Sequence, residues 1–215
     1  MIKGVNITKT YRYKRFKKIV LDSVDIEIKE KTITLITGKS GEGKTTLLKI
    51  LARIIKPDSG DIYFNDKKLR FWSKSYKRIT GFVFQDFKLI SYLNVFENIS
   101  LISKIRGKYN KNRIFDIMEI IGIKDLYKKY PYMLSGGESQ RVAIARAVSC
   151  ADVIFADEPT GNLDRETSNS VVSLFKTLKD MYNVTFVIVT HDDDFKPISD
   201  LVFELSSSRL RCLNV

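Results

Sequence analysis

No apolar run in this chain of 215 residues is long enough to cross a bilayer as a helix. Nor does a signal-peptide pattern open it, so the expected setting is the cytosol and the chain is not expected to form a pore itself. Cysteine is scarce. Cys150 and Cys212 are the only two and lack metal-ligand spacing, which predicts free thiols in a reducing compartment. Internal repeats, low-complexity tracts and coiled-coil insertions are absent, which leaves one globular domain with a substantial core. Acids run short as well: 25 Asp and Glu face 37 Lys and Arg, for a net charge of +12. That surplus suits nucleic acid, an anionic membrane surface, or simply solvated lysine-rich faces. The densest basic cluster is Arg12, Lys14, Arg15, Lys17 and Lys18, interleaved with Tyr13 and Phe16.

What is present is concentrated in a few short segments. Gly38-Lys39-Ser40-Gly41-Glu42-Gly43-Lys44-Thr45 follows the β-branched, apolar run 32–37 and precedes the helical pattern 46–52. A glycine-rich loop between a strand and a helix can curl until its backbone N–H groups point inward at phosphate oxygens. The positive end of the helix dipole adds to the attraction. In such a loop Lys44 reaches the β- and γ-phosphates and the Thr45 hydroxyl can ligate Mg²⁺.

A second anion site is written into Leu134-Ser135-Gly136-Gly137-Glu138-Ser139-Gln140-Arg141, which opens the apolar-periodic helix 142–148. One subunit does not need both sites for one nucleotide. Two subunits packed head to tail would use one site from each. Further on, the apolar strand 153–156 ends in Asp157 and Glu158. Acids at the exit of a buried parallel strand lie where α/β folds put their ligands, Asp157 suiting a metal and Glu158 a base that polarises water. His191, the sole histidine, follows the strongly apolar run 185–190. It is thus expected at the same sheet edge, within reach of a γ-phosphate.

In this order the segments resemble the nucleotide-binding subunit of an ATP-binding cassette (ABC) transporter over nearly the whole chain. The resemblance implies a P-loop α/β ATPase fold, with a mainly parallel core sheet, an antiparallel β part and an inserted helical subdomain. Gly38 to Thr45 match the Walker A loop and Leu134 to Arg141 the signature motif. The run 153–157 matches Walker B, Glu158 the catalytic glutamate, and Asn162-Leu163-Asp164 the D-loop. Gln85, after the strand-like run 81–84, matches the Q-loop, and His191 the switch histidine. Tyr11 matches the aromatic that stacks on adenine, with Tyr13, on the same face of an extended segment, as the alternative. The implied catalytic residues are Glu158, His191 and Lys44. Nucleotide contacts are Tyr11, the loop Gly38, Lys39, Ser40, Gly41, Glu42, Gly43, Lys44, Thr45 and Thr46, then Gln85, Ser135, Gly136, Gly137, Glu138 and Asp164. Thr45, Gln85 and Asp157 are the expected Mg²⁺ ligands.

The motifs divide the chain into a nucleotide-binding core, 1–85 and 135–215, and a helical subdomain, 86–134. Antiparallel strands are expected near 2–8, 24–28 and 61–64. Helices are expected over 95–105 and 113–121, with a short segment at 124–130. The chain closes soon after the strand 185–189, and no appended regulatory domain is expected. Two departures from the family stand out. Lys31 replaces a usual glycine before the Walker A strand, and Glu42 sits where a small residue is usual. An acid beside phosphate is tolerable only if its side chain points away.

The resemblance further implies a second copy of the chain and an integral membrane permease as partners. The protein would then sit peripherally on the inner face of the cell membrane. Residues 157–164, 81–85 and Tyr130-Pro131 are similar to the macrolide-efflux, lipoprotein-release, FtsE-type and bacteriocin-export group, which favours export or a mechanical role. The alternative is a soluble ABC ATPase acting on nucleic acid or in cofactor assembly. The basic surplus supports it, but the missing coiled-coil insertion and second cassette oppose it, so no nucleic acid is expected.

Overall fold

The computed structural model describes residues 1–14 and 16–213. It begins with a hairpin of β1 (Ile2–Tyr13) and β2 (Phe16–Ile28), followed by β3 (Ile33–Thr37), α1 (Lys44–Leu51), β4 (Ser59–Phe64) and β5 (Lys67–Lys68). Next come α2 (Lys74–Ile79), β6 (Thr80–Val83), α3 (Val95–Ile105), α4 (Lys111–Ile120) and α5 (Gly136–Val148). The last elements are β7 (Val153–Asp157), α6 (Arg165–Tyr182), β8 (Thr185–Val189), β9 (Leu201–Ser206) and β10 (Arg209–Leu213).

The strands form two sheets. One is antiparallel, in the order β2-β1-β4-β5; the other runs β10-β9-β3-β8-β7-β6. In the second sheet every neighbouring pair is parallel except β10 with β9. Its central strands are apolar at nearly every position because both faces are covered. Successive residues serve opposite cores. Ile154, Ala156, Phe186 and Ile188 face the cluster that includes α5 and α6 side chains, while Val153, Phe155, Val187 and Val189 face the one shared with α1 and the antiparallel sheet. In the first cluster Phe175 of α6 packs edge-on against Phe186 and Phe195, with ring centroids 5.0 and 5.4 Å apart.

Several expectations match the elements closely, among them the helix over 95–105 and the strand over 185–189. The hairpin strands run further than expected: their distal ends are exposed, at Tyr11 and Arg12 on one strand and Phe16 to Ile19 on the other, and backbone pairing continues from Thr10 opposite Ile19 to Tyr13 opposite Phe16. The segment at 124–130 shortens to a 3₁₀ turn, Lys124–Leu126. Two strands beyond 189 and the helix α2 were not anticipated. β9 joins β3 in parallel, pairing Leu35 with Val202.

Between β6 and α5 the chain is irregular after Gln85 and needs a scaffold. Asn98, buried on α3, supplies it. Its Oδ1 accepts from the Ile90 amide at 2.8 Å, and its Nδ2 donates to the carbonyls of Ile90, Leu93 and Asn94. Arg146 of α5 holds the same segment from the other side, donating to the carbonyls of Phe87 and Lys88 at 2.7 Å each. Phe87 and Lys88 both have positive φ, so this turn is conformationally costly and depends on those clamps. Asn98→Ala is expected to lower stability by about 2–4 kcal/mol, since several buried backbone groups lose their partner at once. Urea denaturation monitored by circular dichroism measures this; an unchanged midpoint would show the clamp to be dispensable.

Candidate active site

The loop from Gly38 to Gly43 joins the end of β3 to the start of α1. Gly38, Gly41 and Gly43 all have φ between +78° and +141°, which strongly favours residues without Cβ. At Gly43 a side chain would also collide with Val20 of β2. The loop therefore curls tightly beneath the hairpin. Lys44 opens α1 and is buried, its Nζ donating to the carbonyls of Gly38 at 2.8 Å and Lys39 at 3.1 Å. Inside the loop it lies 4.0 Å from Glu158 Oε1.

Thr45 donates to Asp157 Oδ1 at 2.6 Å across the sheet edge. Burial raises the Asp157 carboxyl above its ordinary range, opposed by the Thr45 hydrogen bond. Glu158 caps β7 in a left-handed conformation, φ 47°, with its amide donating to the Val189 carbonyl at 2.8 Å. A glutamate in this region is strained. That strain aims the carboxylate back toward Lys44 and His191. His191 Nδ1 lies 3.0 Å from Glu158 Oε2, and its ring is otherwise largely exposed. The loop carrying His191 is tied down by Asp192, whose Oδ2 accepts from Thr160 Oγ1 at 2.8 Å.

Lys44, Thr45, Glu158 and His191 border one cavity of about 760 Å³; Asp157 is not in its lining and lies behind Thr45, its hydrogen-bond partner. Tyr11, Gly38, Lys39, Ser40, Gly41, Gly43, Lys44, Thr45, Thr46, Gln85, Glu158 and His191 all line it. Tyr11, on β1, is half exposed. The competing Tyr13 has a side chain outside the described residues. The Gln85 carbonyl accepts from Asn162 Nδ2 at 3.1 Å. Thr45, Asp157 and Gln85 present hydroxyl, carboxylate and amide oxygen, a hard-donor set suited to Mg²⁺.

Ser135, Gly136, Gly137, Glu138 and Asp164 do not border this cavity. Ser135 N-caps α5 in a reciprocal box: its Oγ accepts from the Glu138 amide at 3.2 Å and Glu138 Oε2 accepts from the Ser135 amide at 2.7 Å. Gly137 packs so closely on Thr167 that a side chain there would strike it. Asp164 caps α6, its carboxylate accepting from the Thr167 amide at 2.9 Å and hydroxyl at 2.6 Å. Those bonds hold its pKa below the ordinary value. The signature and Asp164 thus form a second surface on the same chain.

Two cavity residues escaped the sequence reading, Lys18 and Val20. Their signal lay in pairing: Lys18 stands directly opposite Tyr11 in the hairpin. Glu42, by contrast, turns away from the cavity, as its tolerance requires. Its Oε2 is buried without a hydrogen-bond partner among the described residues and lies 3.4 Å from where a side chain on Gly38 would begin. A buried, unmade hydrogen bond is costly. Glu42→Ser is therefore expected to stabilise the fold by about 1 kcal/mol, roughly 2–4 °C in melting temperature. Differential scanning calorimetry decides it, and a lower melting temperature would mean that the carboxylate has a stabilising partner.

The ABC transporter family pattern matches residues 21–161 of the chain. A lipoprotein-releasing system ATP-binding protein, LolD, of Blochmanniella floridana is 40% identical over 96% of this chain and 92% of its own. An uncharacterized ABC transporter ATP-binding protein, MJ1508, of Methanocaldococcus jannaschii is 35% identical over 98% and 97%. Among solved structures, the dimeric ABC transporter cassette MJ0796 superposes with a TM-score of 0.87 at 33% identity, covering 100% of both chains. A post-hydrolysis dimer of that cassette, bound to ADP and Pi, superposes with a TM-score of 0.86 at 32% identity over the same span. The chain belongs to the ABC transporter family, as one of its ATP-binding, ATP-hydrolysing cassettes.

Proposed function

We propose that this cassette is the motor of a membrane export or extrusion system. Two copies pair head to tail around ATP and drive a separate integral membrane permease. The observation that carries the reading is the separation, within one chain, of the cavity holding Tyr11, Lys44 and Glu158 from the capped N-terminus of α5. A second copy turned by a two-fold axis brings its Ser135, Gly136 and Gly137 over the first copy's cavity. In this reading 1–85 and 135–215 are the nucleotide core and 86–134 the part that meets the permease. Cargo of the bacteriocin, peptide, drug or lipoprotein class is favoured by the likeness to a lipoprotein-releasing ATP-binding protein.

Within the cavity Tyr11 offers a face for adenine. The loop amides and the Lys44 ammonium cradle the phosphates. Thr45, Asp157 and Gln85 would hold Mg²⁺, which when bound neutralises charge on the β- and γ-phosphates. Glu158 orients a water on the γ-phosphorus and draws off its proton as the new P–O bond forms. The bond to the β–γ bridging oxygen breaks, leaving ADP and inorganic phosphate. His191, 3.0 Å from Glu158 Oε2, steadies the carboxylate and senses the γ-phosphate. ATP's contacts with both copies favour closure, and hydrolysis removes them.

A mostly apolar groove of about 590 Å³, lined by residues including Ile54, Phe71, Trp72, Phe82 and Ile102, supports the permease dock. Trp72 is 76% exposed and Ile54 46%, an unusual cost for a lone chain in water. The apolar and aromatic side chains that follow Gln85 divide. Phe87, Leu89 and Phe96 pack against the core, Ile90 lines the groove, and Tyr92 is exposed. The groove is the surface to test.

Glu158→Gln is expected to keep ATP binding while cutting turnover at least a hundredfold, roughly 3 kcal/mol of barrier. Slow hydrolysis then accumulates the ATP-bound dimer. Size-exclusion chromatography with ATP reads this directly; a persistent monomer argues against the paired arrangement. Trp72→Asp and Ile54→Asp are expected to weaken co-purification with the membrane permease at least tenfold, leaving ATP affinity within twofold. Full retention of the permease would move the dock elsewhere.

A further inference from the structure

We infer that Lys18 is a second phosphate-binding cation, reaching the α- and β-phosphates of the nucleotide from the hairpin side of the cavity. This rests on the reading that the nucleotide lies between Tyr11 and the glycine-rich loop. The hairpin register sets Lys18 directly opposite Tyr11 on neighbouring antiparallel strands. Directly opposed residues project to the same face of a sheet, with Cβ atoms roughly 5 Å apart. Both side chains accordingly line the same cavity. From there the Lys18 ammonium crosses to the tip of the loop and donates to the Gly41 carbonyl at 3.2 Å. It spans the gap between the base-stacking ring and the phosphate cradle, which the α- and β-phosphates must cross.

The local charge makes such a cation useful. Lys44 is already shared: its ammonium serves two loop carbonyls and lies 4.0 Å from Glu158. Asp157 and Glu158 bring two carboxylates to the same edge. A triphosphate entering this set meets more negative charge than the loop amides and one buried lysine readily balance. An ammonium has three N–H donors, and the Gly41 carbonyl takes one of Lys18's. The rest can serve phosphate oxygens without moving the hairpin. The Gly41 contact also holds the long side chain in place, which reduces the rotamer entropy lost on binding.

The test is isothermal titration of ADP and of a non-hydrolysable ATP analogue into the full chain, for wild type, Lys18→Met, Lys18→Arg and Lys44→Ala. Lys18→Met keeps the aliphatic stem and loses only the charge and donors. It is expected to weaken both nucleotides about five- to tenfold, by similar factors, because the contact is to phosphates they share. The salt dependence of affinity should flatten in that variant, and Lys18→Arg should keep at least half of the wild-type affinity. Lys18→Met binding like wild type, while Lys44→Ala fails to bind, overturns the role of Lys18 and leaves the cavity assignment standing. An equal loss in Lys18→Met and Lys18→Arg with an unchanged salt slope also overturns it, since that pattern belongs to hairpin geometry. Wild-type binding by Lys44→Ala overturns the cavity assignment and this inference with it.

Discussion

The parallel alignment of β3, β8 and β7 is the constraint on which the rest of the molecule depends. Ile36 and Asp157 both pair with Val189, so the three strands end in one line. The glycine-rich loop leaves the first, His191 follows the second and Glu158 the third. No local property of these segments brings them together. Burial on both faces does, because a one-residue slip would exchange the two side-chain sets between cores that are already filled. The amide of Glu158 bonding to Val189 and that of Phe186 bonding to Thr32 extend the same alignment to both strand ends. The apolar sheet is thus the instrument that sets the distances among its polar edge groups.

That edge is electrostatically unbalanced by construction. Desolvation works against ionised Asp157, and the Thr45 hydroxyl offsets only part of the cost. Glu158 adds backbone strain to like charge, and Lys44 stands far enough from it, at 4.0 Å, to be shared with the loop carbonyls. An arrangement optimised for stability alone would have neutralised these acids. Carboxylates gathered beside a glycine-rich loop at a helix N-terminus suit a guest that carries both signs, a phosphate chain with its divalent cation. The stability given up at this edge is regained in the two apolar cores, where the Phe175 cluster and the covered strands lie.

Much of this is legible in the sequence alone, and the reasons are physical. Glycines at required positive φ, a lysine at a helix start and acids at a strand exit each leave a compact signature, because backbone geometry demands those residue types at those places. Long-range pairing leaves none. Lys18 looked like one more charge in a basic run, and only the hairpin register reveals that it faces Tyr11. β9 and β10 were missed because their short apolar stretches follow a turn-rich segment and are broken by Glu204, Arg209 and Arg211. The division of the set after Gln85 was equally hidden. Leu89 and Ile90 are alike in chemistry, and only the turn held by Asn98 and Arg146 sends one against the core and the other into the groove.

Arg146 also joins the two surfaces that one chain keeps apart. It lies near the end of α5, whose other end is the signature, and it grips the turn two residues beyond Gln85. In the proposed pairing, a push on the N-terminus of α5 would pass along the helix to the segment between Gln85, which lines the nucleotide cavity, and Ile90, which lines the apolar groove. The cap at that N-terminus leaves room for such a push. Its box occupies the amides of Ser135 and Glu138, while those of Gly136 and Gly137 belong to the first turn, which has no intrahelical acceptors. Free amides at the positive end of a helix dipole suit an anion. In the proposed pairing they complete the cavity of a second copy, since they do not line the cavity of their own chain. Filling both sites of that pair would bear on two α5 helices at once, and through Arg146 on two grooves.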